Sequence, residues 1–267
     1  MTEALFTWNV IYLDAPIEKV WWATVHPEGM NAWLSDSART TGDPDHPAVG
    51  DVFDLVYGSI SNTARVVELI PGRRFVLDDT YISRFPDGNA ITYPLRTTYE
   101  MTPTDDGIRY TVHTRGYADD TTGHWLVECM RTGWTKSLLN LKAVLEHGMD
   151  LRNQIFGYPR IGIHNMTVRS YQYEQTGAAE GNYLLRVFPG TPAERAGLRP
   201  GDVITRVGSV RTPTYHDLVR ALGSHTADCT VEIEYTRNGR QGLRTTCRLT
   251  DDPVLAGFVN PPEQRPQ

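Results

Sequence analysis

The sequence predicts an α+β protein of two domains: an antiparallel sheet wrapped on a long C-terminal helix, then a small barrel or sandwich of short strands with two helices. Three observations support this prediction. The chain has 267 residues, about the length of two compact domains. A run of strands separated by turn sequences leads into one long amphipathic helix. After Gly157-Tyr158-Pro159 only short strands and one short helix follow, so we predict domains at 1–152 and 153–251 and a flexible proline-rich tail at 252–267.

Composition and charge exclude several classes of function. Hydrophobic residues make up 40% of the chain and charged residues 22%, as in ordinary globular proteins. The net charge of -6, with both signs interspersed, provides no basic surface for nucleic acid. No stretch approaches the ~18 consecutive apolar residues of a membrane span, and the N-terminus lacks the pattern of a secretory signal. We therefore predict a cytoplasmic protein without a membrane span.

The cysteines and the absence of known catalytic motifs predict neither a metal nor a cofactor. Cys129, Cys229 and Cys247 are not spaced as metal ligands, and without an export signal free thiols are favoured over a disulfide. His124 and Cys129 are five residues apart on a predicted helix, not the four that would align them on one face. No Gly-rich phosphate loop or Ser-His-Asp order is present.

The first domain is predicted to begin with a strand at 5–13, rich in β-branched and aromatic residues. Asp14-Ala15-Pro16 then favours a helix start before 17–25, and a short helix follows at 27–34. Turn sequences such as Pro71-Gly72 separate strands at 52–57, 61–69, 75–85, 90–101 and 109–117. Apolar residues at helical spacing predict the long helix at 122–151, and its apolar stripe must lie on the sheet.

The second domain is predicted from short strands at 162–171, 182–187, 203–207, 230–236 and 243–249. A helix is predicted at 215–222, and Asn238-Gly239 is typical of the turn in a β-hairpin. Within this domain the run GTPAERAGLRPGDVI covers residues 190–204. Pro192 favours the start of a short helix, Gly197 can leave that helix with a positive φ, and Pro200-Gly201 forms a turn into the next strand.

This run resembles the corresponding stretch of bacterial PDZ domains, and the resemblance covers about residues 158–249. It implies that a peptide C-terminus adds as a strand between a sheet edge and a helix. Arg160-Ile161-Gly162-Ile163 is similar to the family's Gly-Leu-Gly-Phe-type loop, which receives the terminal carboxylate. Tyr215, Val219 and Leu222 share one face of the predicted helix and would form the other wall. This apolar groove predicts a partner with a hydrophobic last residue, although a PDZ fold that only docks and binds no peptide is the alternative.

The first domain resembles the START-like (SRPBCC, Bet v 1-like) superfamily over about residues 5–152. The stretch APIEKVW at 15–21 is similar to that family's entry into its first helix, and VVELIPGRRFV at 66–76 to one of its strand-turn-strand units. Gly133-Trp134, followed by Leu138 and Leu141, resembles the branch related to the activator of Hsp90 ATPase. The resemblance implies the helix-grip fold, in which a curved sheet and the long helix enclose an apolar cavity for a hydrophobic small molecule.

Large aromatic residues and a few polar ones are the candidates for lining this cavity. They are Trp22, Trp33, Phe53, Tyr57, Arg65, Tyr81, Tyr93, Tyr99, His113, Trp125, Cys129 and Trp134. The alternative for each aromatic residue is that it packs in the core. His113 with Glu100 is the candidate pair for general-base chemistry, and Asp78-Asp79 lies on a strand that often carries aromatic residues in relatives. Because side chains of a strand alternate between faces, the sequence leaves open which face His113 occupies.

Three functions are compatible with these features. The first is a binding protein without catalysis, a sensor or adaptor with an apolar ligand in the first domain and a protein C-terminus in the second. The second is a cyclase- or hydrolase-like enzyme that its PDZ domain recruits to a partner. The third is a co-chaperone role, which rests on the fold resemblance alone.

Overall fold

The computed structural model describes residues 4–252 and Leu255. The described chain forms two compact units, residues 4–84 with 89–157, and residues 85–88 with 158–252. Each unit contains one antiparallel sheet. Apart from Asp252 and Leu255, the predicted proline-rich tail lies outside the described residues. None of the helices in the described part is long and apolar enough to cross a membrane.

The first unit is built on a seven-stranded sheet in the order β1-β7-β6-β5-β4-β3-β2. Its strands are β1 (Phe6–Leu13), β2 (Ser37–Thr40), β3 (Val52–Tyr57), β4 (Ile60–Ile70), β5 (Arg74–Arg84), β6 (Ala90–Thr104) and β7 (Gly107–Arg115). Alternate residues of β3 and β4 are buried, and the central strands bury the same face. We call this the inner face of the sheet, because its side chains share one core with the long helix.

Four helices complete the first unit: α1 (Ile17–Val25), α2 (Pro27–Trp33), α3 (Thr121–His147) and α4 (Arg152–Phe156). Helix α3 begins where the side chain of Asp120 accepts a hydrogen bond from the backbone N–H of Gly123 at 2.8 Å. It ends at Gly148, which has the left-handed conformation with a φ of 67°. Leu138 and Leu141 of α3 are buried in the core cluster of the inner face. The predicted helix-grip architecture is therefore confirmed.

The second unit has a sheet in the order β13-β12-β10-β9-β8, with β11 paired to β10. Its strands are β8 (Ile163–Thr167), β9 (Asn182–Val187), β10 (Val203–Val207), β11 (Val210–Arg211), β12 (Thr230–Arg237) and β13 (Arg240–Arg248). The helices are α5 (Ser170–Thr176), α6 (Pro192–Arg195) and α7 (Tyr215–Gly223). Since β8 ends the sheet, it has an edge without a strand neighbour in the described part of the chain, which is the edge that β-augmentation requires.

Besides the short strand β2, which was not predicted, local structure departs from the sequence prediction at three places. The long helix ends at His147, not at 151, because Gly148 takes the left-handed conformation. The predicted linker after residue 151 contains α4, held to the first unit by hydrogen bonds from the Arg152 guanidinium to the carbonyls of Asn31 and Ser35. The predicted strand 162–171 stops at Thr167, and α5 follows, with Gly177 as a left-handed cap. In each case a capping or tertiary contact overrides the local pattern.

Candidate functional site

The interior of the first unit is an aromatic cluster between the inner face of the sheet and α3. Phe75 and Tyr99 stack with ring centroids 6.0 Å apart, and Tyr99 meets Trp134 of α3 edge-on at 5.7 Å. Tyr81 and Tyr93 stack at 5.4 Å. Seven of the predicted cavity residues are buried in this core: Trp33, Phe53, Tyr57, Tyr81, Tyr93, Tyr99 and Trp134. Trp22 and Trp125 pack against it but are only partly buried, and Cys129 is a partly buried free thiol.

A row of polar side chains crosses this aromatic interior from strand to strand. On the inner face Thr7 of β1 lies opposite Thr114 of β7, and Thr114 lies opposite Thr97 of β6. The hydroxyls of Thr7 and Thr114 are hydrogen-bonded. From Thr97 the row continues diagonally to Asp79 of β5 and then to Asn62 of β4, each two residues away from the directly opposite position on its strand. Five strands thus contribute one buried polar residue each to a continuous interior row.

Asp79 is the ionisable group of this row, and 3% of it is exposed. Its carboxylate accepts hydrogen bonds from Asn62 Nδ2 at 2.8 Å and from Thr97 Oγ1 at 2.5 Å. Burial raises the pKa of Asp79 to about 7, although both hydrogen bonds act in the opposite direction. The pKa values of Tyr57 and Tyr81 are also raised, mainly by burial and to a smaller extent by the charge of Asp79. The interior therefore holds a carboxyl group that changes its charge near neutral pH, surrounded by phenols that do not.

Two buried polar atoms beside this row have no hydrogen-bond partner among the described residues. They are Oδ1 of Asn62, whose amide nitrogen binds Asp79, and Nε1 of Trp134, whose ring contacts Tyr99. Asn62 is 2% exposed and Trp134 6%. A buried polar atom left unpaired costs about 1–3 kcal/mol. One acceptor and one donor thus remain unpaired among the described residues of this aromatic interior.

Three predicted cavity or catalytic residues lie on the opposite, outer face of the sheet. Arg65 is exposed and donates a hydrogen bond to the carbonyl of Gly50. Glu100 forms an ion pair with Arg74. His113 packs between Phe6 and Trp8, with ring centroids 5.7 and 5.3 Å away. Because neighbouring residues of a strand face opposite sides, the buried Ala64, Tyr99 and Val112 put these three outside the interior. His113 and Glu100 thus have no access to a ligand held between the sheet and α3.

A groove of about 330 Å³ opens at the surface of the first unit, between β1 and α3. It is lined by Trp8, Asn9, Val10, Ile11, Thr135, Leu138 and Leu139. None of the twelve residues proposed from the sequence for the cavity belongs to this set.

In the second unit the loop before β8 presents two backbone N–H groups to one side. The carbonyl of Ile161 accepts a hydrogen bond from Ala193 N at 2.8 Å, and that of Gly162 accepts one from Phe188 N at 3.1 Å. In a trans peptide the N–H points away from the preceding carbonyl. The N–H groups of Gly162 and Ile163 therefore point away from α6 and β9, as an anion-binding loop requires.

Gly162 is the residue that makes this loop geometry accessible. Its φ is 78°, in the left-handed region that glycine adopts without strain. A Cβ at this position would lie 2.3 Å from Cβ and Cγ2 of Thr191, the residue that caps α6. Ile161 is buried in the core of the unit and Ile163 packs against that core. The four loop residues predicted from the sequence thus form one structural feature.

Helix α7 forms the opposite side of the groove from β8. Its N-terminal end is fixed to β8 by a hydrogen bond from Tyr215 N to Thr167 Oγ1 at 2.8 Å. Val219 and Leu222 are buried, one and two turns further along, and Tyr215 is half-buried. The Arg160 guanidinium stacks on the ring of Tyr158 at 3.3 Å. Burial lowers the pKa of Arg160 to about 10, although the charge of Tyr215 on α7 acts to raise it. Arg160 is therefore a cation at neutral pH, close enough to α7 to interact with Tyr215.

Comparison with known families assigns both units. Residues 14–146 match the family model of activator of Hsp90 ATPase homolog 1-like proteins, and residues 159–245 match that of PDZ domains. The chain joins an activator of Hsp90 ATPase homolog 1-like domain to a PDZ domain. This confirms both resemblances in the order in which the sequence presents them. We refer to the two units below as the Hsp90-activator-like domain and the PDZ domain.

Individual relatives match different shares of the chain. The serine protease Do-like HtrA of Lactococcus lactis is 43% identical over 60 residues, which are 22% of this chain and 15% of that protein. Protein MLL2253 of Mesorhizobium loti is 20% identical, with a TM-score of 0.43, over 54% of this chain and 99% of its own. The Aha1 dimer of Colwellia psychrerythraea is 20% identical, with a TM-score of 0.42, over 54% of this chain and 98% of its own. DynU16, from the dynemicin biosynthetic locus, covers 97% of this chain and 91% of its own at 12% identity, with a TM-score of 0.47.

Asn182 is a residue of the PDZ domain that the sequence analysis missed. It is fully buried on β9, and its Nδ2 donates to the carbonyls of Thr212 and Thr214 at 2.9 and 3.0 Å. Its Oδ1 accepts a hydrogen bond from Asn165 of β8 at 2.8 Å. One side chain thus connects β8 with the segment that starts α7, which fixes both walls of the groove. An asparagine at a buried strand position is the signal in the sequence that could have identified it.

Proposed function

We propose that this protein binds two partners: a protein C-terminus in the PDZ groove and an apolar small molecule inside the Hsp90-activator-like domain. The observation that carries the first part is the loop at Gly162, whose two N–H groups point away from the body of the domain. This loop lies at the start of β8, opposite the apolar residues of α7, and one edge of β8 has no strand neighbour among the described residues. These three features fit a bound peptide. Its terminal carboxylate would lie at the loop, its chain would add as a strand along β8, and its apolar last residue would contact α7.

The last residue of the peptide is proposed to be aliphatic or aromatic. The C-terminal end of α7 lies near the segment before the loop, since a Cβ on Gly223 would lie 3.7 Å from Cβ of Tyr158. Val219 and Leu222 on this part of α7 are proposed to contact the last side chain of the peptide. Arg160 adds a positive charge on the same side, which complements a terminal carboxylate. Charge therefore selects a free C-terminus, and the apolar wall selects its side chain.

Peptide binding is tested with the full chain and a library of peptides with random last residues and free carboxylates. We expect selected peptides to end in a hydrophobic residue and to lose at least about tenfold in affinity as C-terminal amides, because the loop then faces no charge. Val219→Glu is expected to weaken binding similarly, whereas His216→Glu on the exposed side of α7 leaves it within about twofold. Selected peptides that bind equally well as amides would contradict the proposed mode.

For the Hsp90-activator-like domain, the unpartnered buried atoms Asn62 Oδ1 and Trp134 Nε1 support a ligand in the interior. Native mass spectrometry of the full chain, purified under mild conditions, is expected to show an added mass that denaturation releases. Protein that is purified without such an added mass is then titrated with an apolar dye, whose fluorescence rises on transfer into an apolar interior. Failure of both measurements overturns this half of the proposal and leaves the peptide groove unaffected.

A further inference from the structure

We propose, building on the interior site above, that the Hsp90-activator-like domain binds an apolar molecule through a protonated amine, which the Asp79 carboxylate and the surrounding aromatic rings hold. The polar group of the ligand is thus assigned a positive charge, with the Asp79 carboxylate as its partner. The argument rests on the ion pairing of Asp79, on the donors and acceptors around it, and on the rings that surround it.

Asp79 lacks a cationic partner within the described part of the chain. Other carboxylates of this protein have one: Asp78, its neighbour on β5, pairs with Arg96, and the buried Asp202 pairs with Arg237. Around Asp79 the hydrogen-bond donors are a neutral amide and a hydroxyl. A buried carboxylate is stable when it is protonated or paired with a cation. A ligand that carries a positive charge supplies the missing partner.

The hydrogen-bonding pattern also favours a ligand that donates. Asn62 and Thr97 both donate to Asp79, so the carboxyl oxygens act as acceptors and retain further lone pairs. Asn62 Oδ1, on the same amide group, is a second acceptor without a donor. An ammonium group has three N–H donors and no acceptor, which matches these two sites. Trp134 Nε1 offers one donor, enough for a single acceptor elsewhere on the ligand.

Aromatic rings lie near enough to Asp79 for its charge to contribute to the raised pKa values of Tyr81, Tyr93 and Tyr99. Tyr81, Tyr93, Tyr99 and Trp134 are buried and in mutual contact through two ring pairs. The negative faces of such rings attract an ammonium ion, most strongly when water is excluded. A carboxylate inside an aromatic box therefore favours an organic cation over a neutral molecule of the same shape.

The test uses three naphthalene probes of nearly equal shape, titrated into the full chain by calorimetry: 2-naphthylmethylamine, 2-naphthalenemethanol and 2-naphthoate. We expect the amine to bind at least about tenfold more tightly than the alcohol, and the anion to bind most weakly. Asp79→Asn should remove the preference for the amine and retain the alcohol. Asp78→Asn, one residue away on the outer face, is the matched control and should retain the preference.

The pH dependence gives an independent readout. Between about pH 6 and about pH 8 the ionised fraction of a carboxyl with a pKa of about 7 rises about tenfold, and affinity for the amine should rise with it. The other titratable groups that the field of Asp79 reaches are tyrosines whose pKa values burial raises further above neutrality: Tyr57, Tyr81, Tyr93, Tyr99 and Tyr117. Asp78 on the outer face is held ionised by Arg96, which lowers its pKa. Of Asp79, Asp78 and these tyrosines, Asp79 is therefore the group that changes charge in this range.

The outcomes separate this inference from the proposed function. Binding of the amine that depends on Asp79 and rises with pH supports the assignment. The assignment is overturned if the alcohol binds as tightly as the amine, or if Asp79→Asn leaves the affinity for the amine unchanged. Either result leaves the proposed interior binding site in place. Failure of all three probes in wild-type protein overturns both.

Discussion

Asp79→Asn is expected to stabilise the Hsp90-activator-like domain at pH 8 by up to about 4 kcal/mol in the free energy of unfolding. The physical reason is the pKa of about 7 in the folded domain, against an ordinary value near 4. Between these pH values the folded domain binds more protons at Asp79 than the unfolded chain does. The contribution of Asp79 is therefore most favourable below about pH 4, falls as pH rises, and reaches its minimum above about pH 7.

Tryptophan fluorescence during urea unfolding measures this effect in one domain alone. All six tryptophans, the last being Trp134, belong to the Hsp90-activator-like domain. In Asp79→Asn the amide keeps an oxygen for Asn62, and the Thr97 hydroxyl can rotate to accept from the new amide nitrogen. We expect wild-type stability to fall between pH 5 and pH 8 by more than that of the variant. Identical pH profiles for the two proteins would show that Asp79 is ionised throughout and contradict the prediction.

Gly162→Ala is expected to destabilise the PDZ domain by more than about 3 kcal/mol and to abolish peptide binding. A positive φ alone costs an alanine about 1–2 kcal/mol. The larger effect comes from the contact of 2.3 Å between the new Cβ and the Thr191 side chain. Thr191 is held in place, since its Oγ1 donates to the carbonyl of Phe188 at 2.6 Å and it caps α6. Relief of the contact must therefore move the loop, and with it the two N–H groups.

Gly197→Ala separates backbone strain from this contact. Gly197 has the same φ of 78°, but no atom lies within 4 Å of the position of a Cβ. We expect it to lose about 1 kcal/mol and to retain peptide binding. Calorimetric melting follows the PDZ transition in both variants, while the tryptophan signal reports the other domain as an internal reference. Equal destabilisation by the two substitutions would show that Thr191 yields easily and that the close contact is unimportant.

The motif-bearing parts of this protein were predictable because their chemistry is local. The turn at Pro200-Gly201, the short helix opened by Pro192 and the loop at Gly162 depend on backbone conformations that few residues adopt. The long helix was predictable from its apolar period, although its end was not, because Gly148 decided it. The edge strand β2 and the helices α4 and α5 are short elements whose signals do not exceed those of the loops around them.

The interior site was only partly predictable. Seven of the proposed aromatic residues are buried between the sheet and α3, but Arg65, Glu100 and His113 are on the outer face. The sequence analysis named Asp78-Asp79 together, and the strand pattern shows which of the two faces the interior. Asp79 lies in phase with Phe75, Leu77 and Tyr81, so a carboxyl group occurs where the strand alternation requires an apolar side chain.

By itself the sequence determined two domains, their order, their families and the residues of the loop at Gly162, because each depends on periodicity or on residues with special backbone geometry. Only the tertiary structure decided which polar side chains meet. Thr7, Thr97, Thr114, Asp79 and Asn62 are far apart in the chain, and they form one row because the register of five strands aligns them. The raised pKa of Asp79 follows from the same assembly, since its cause is the exclusion of water by side chains from the sheet and α3 together.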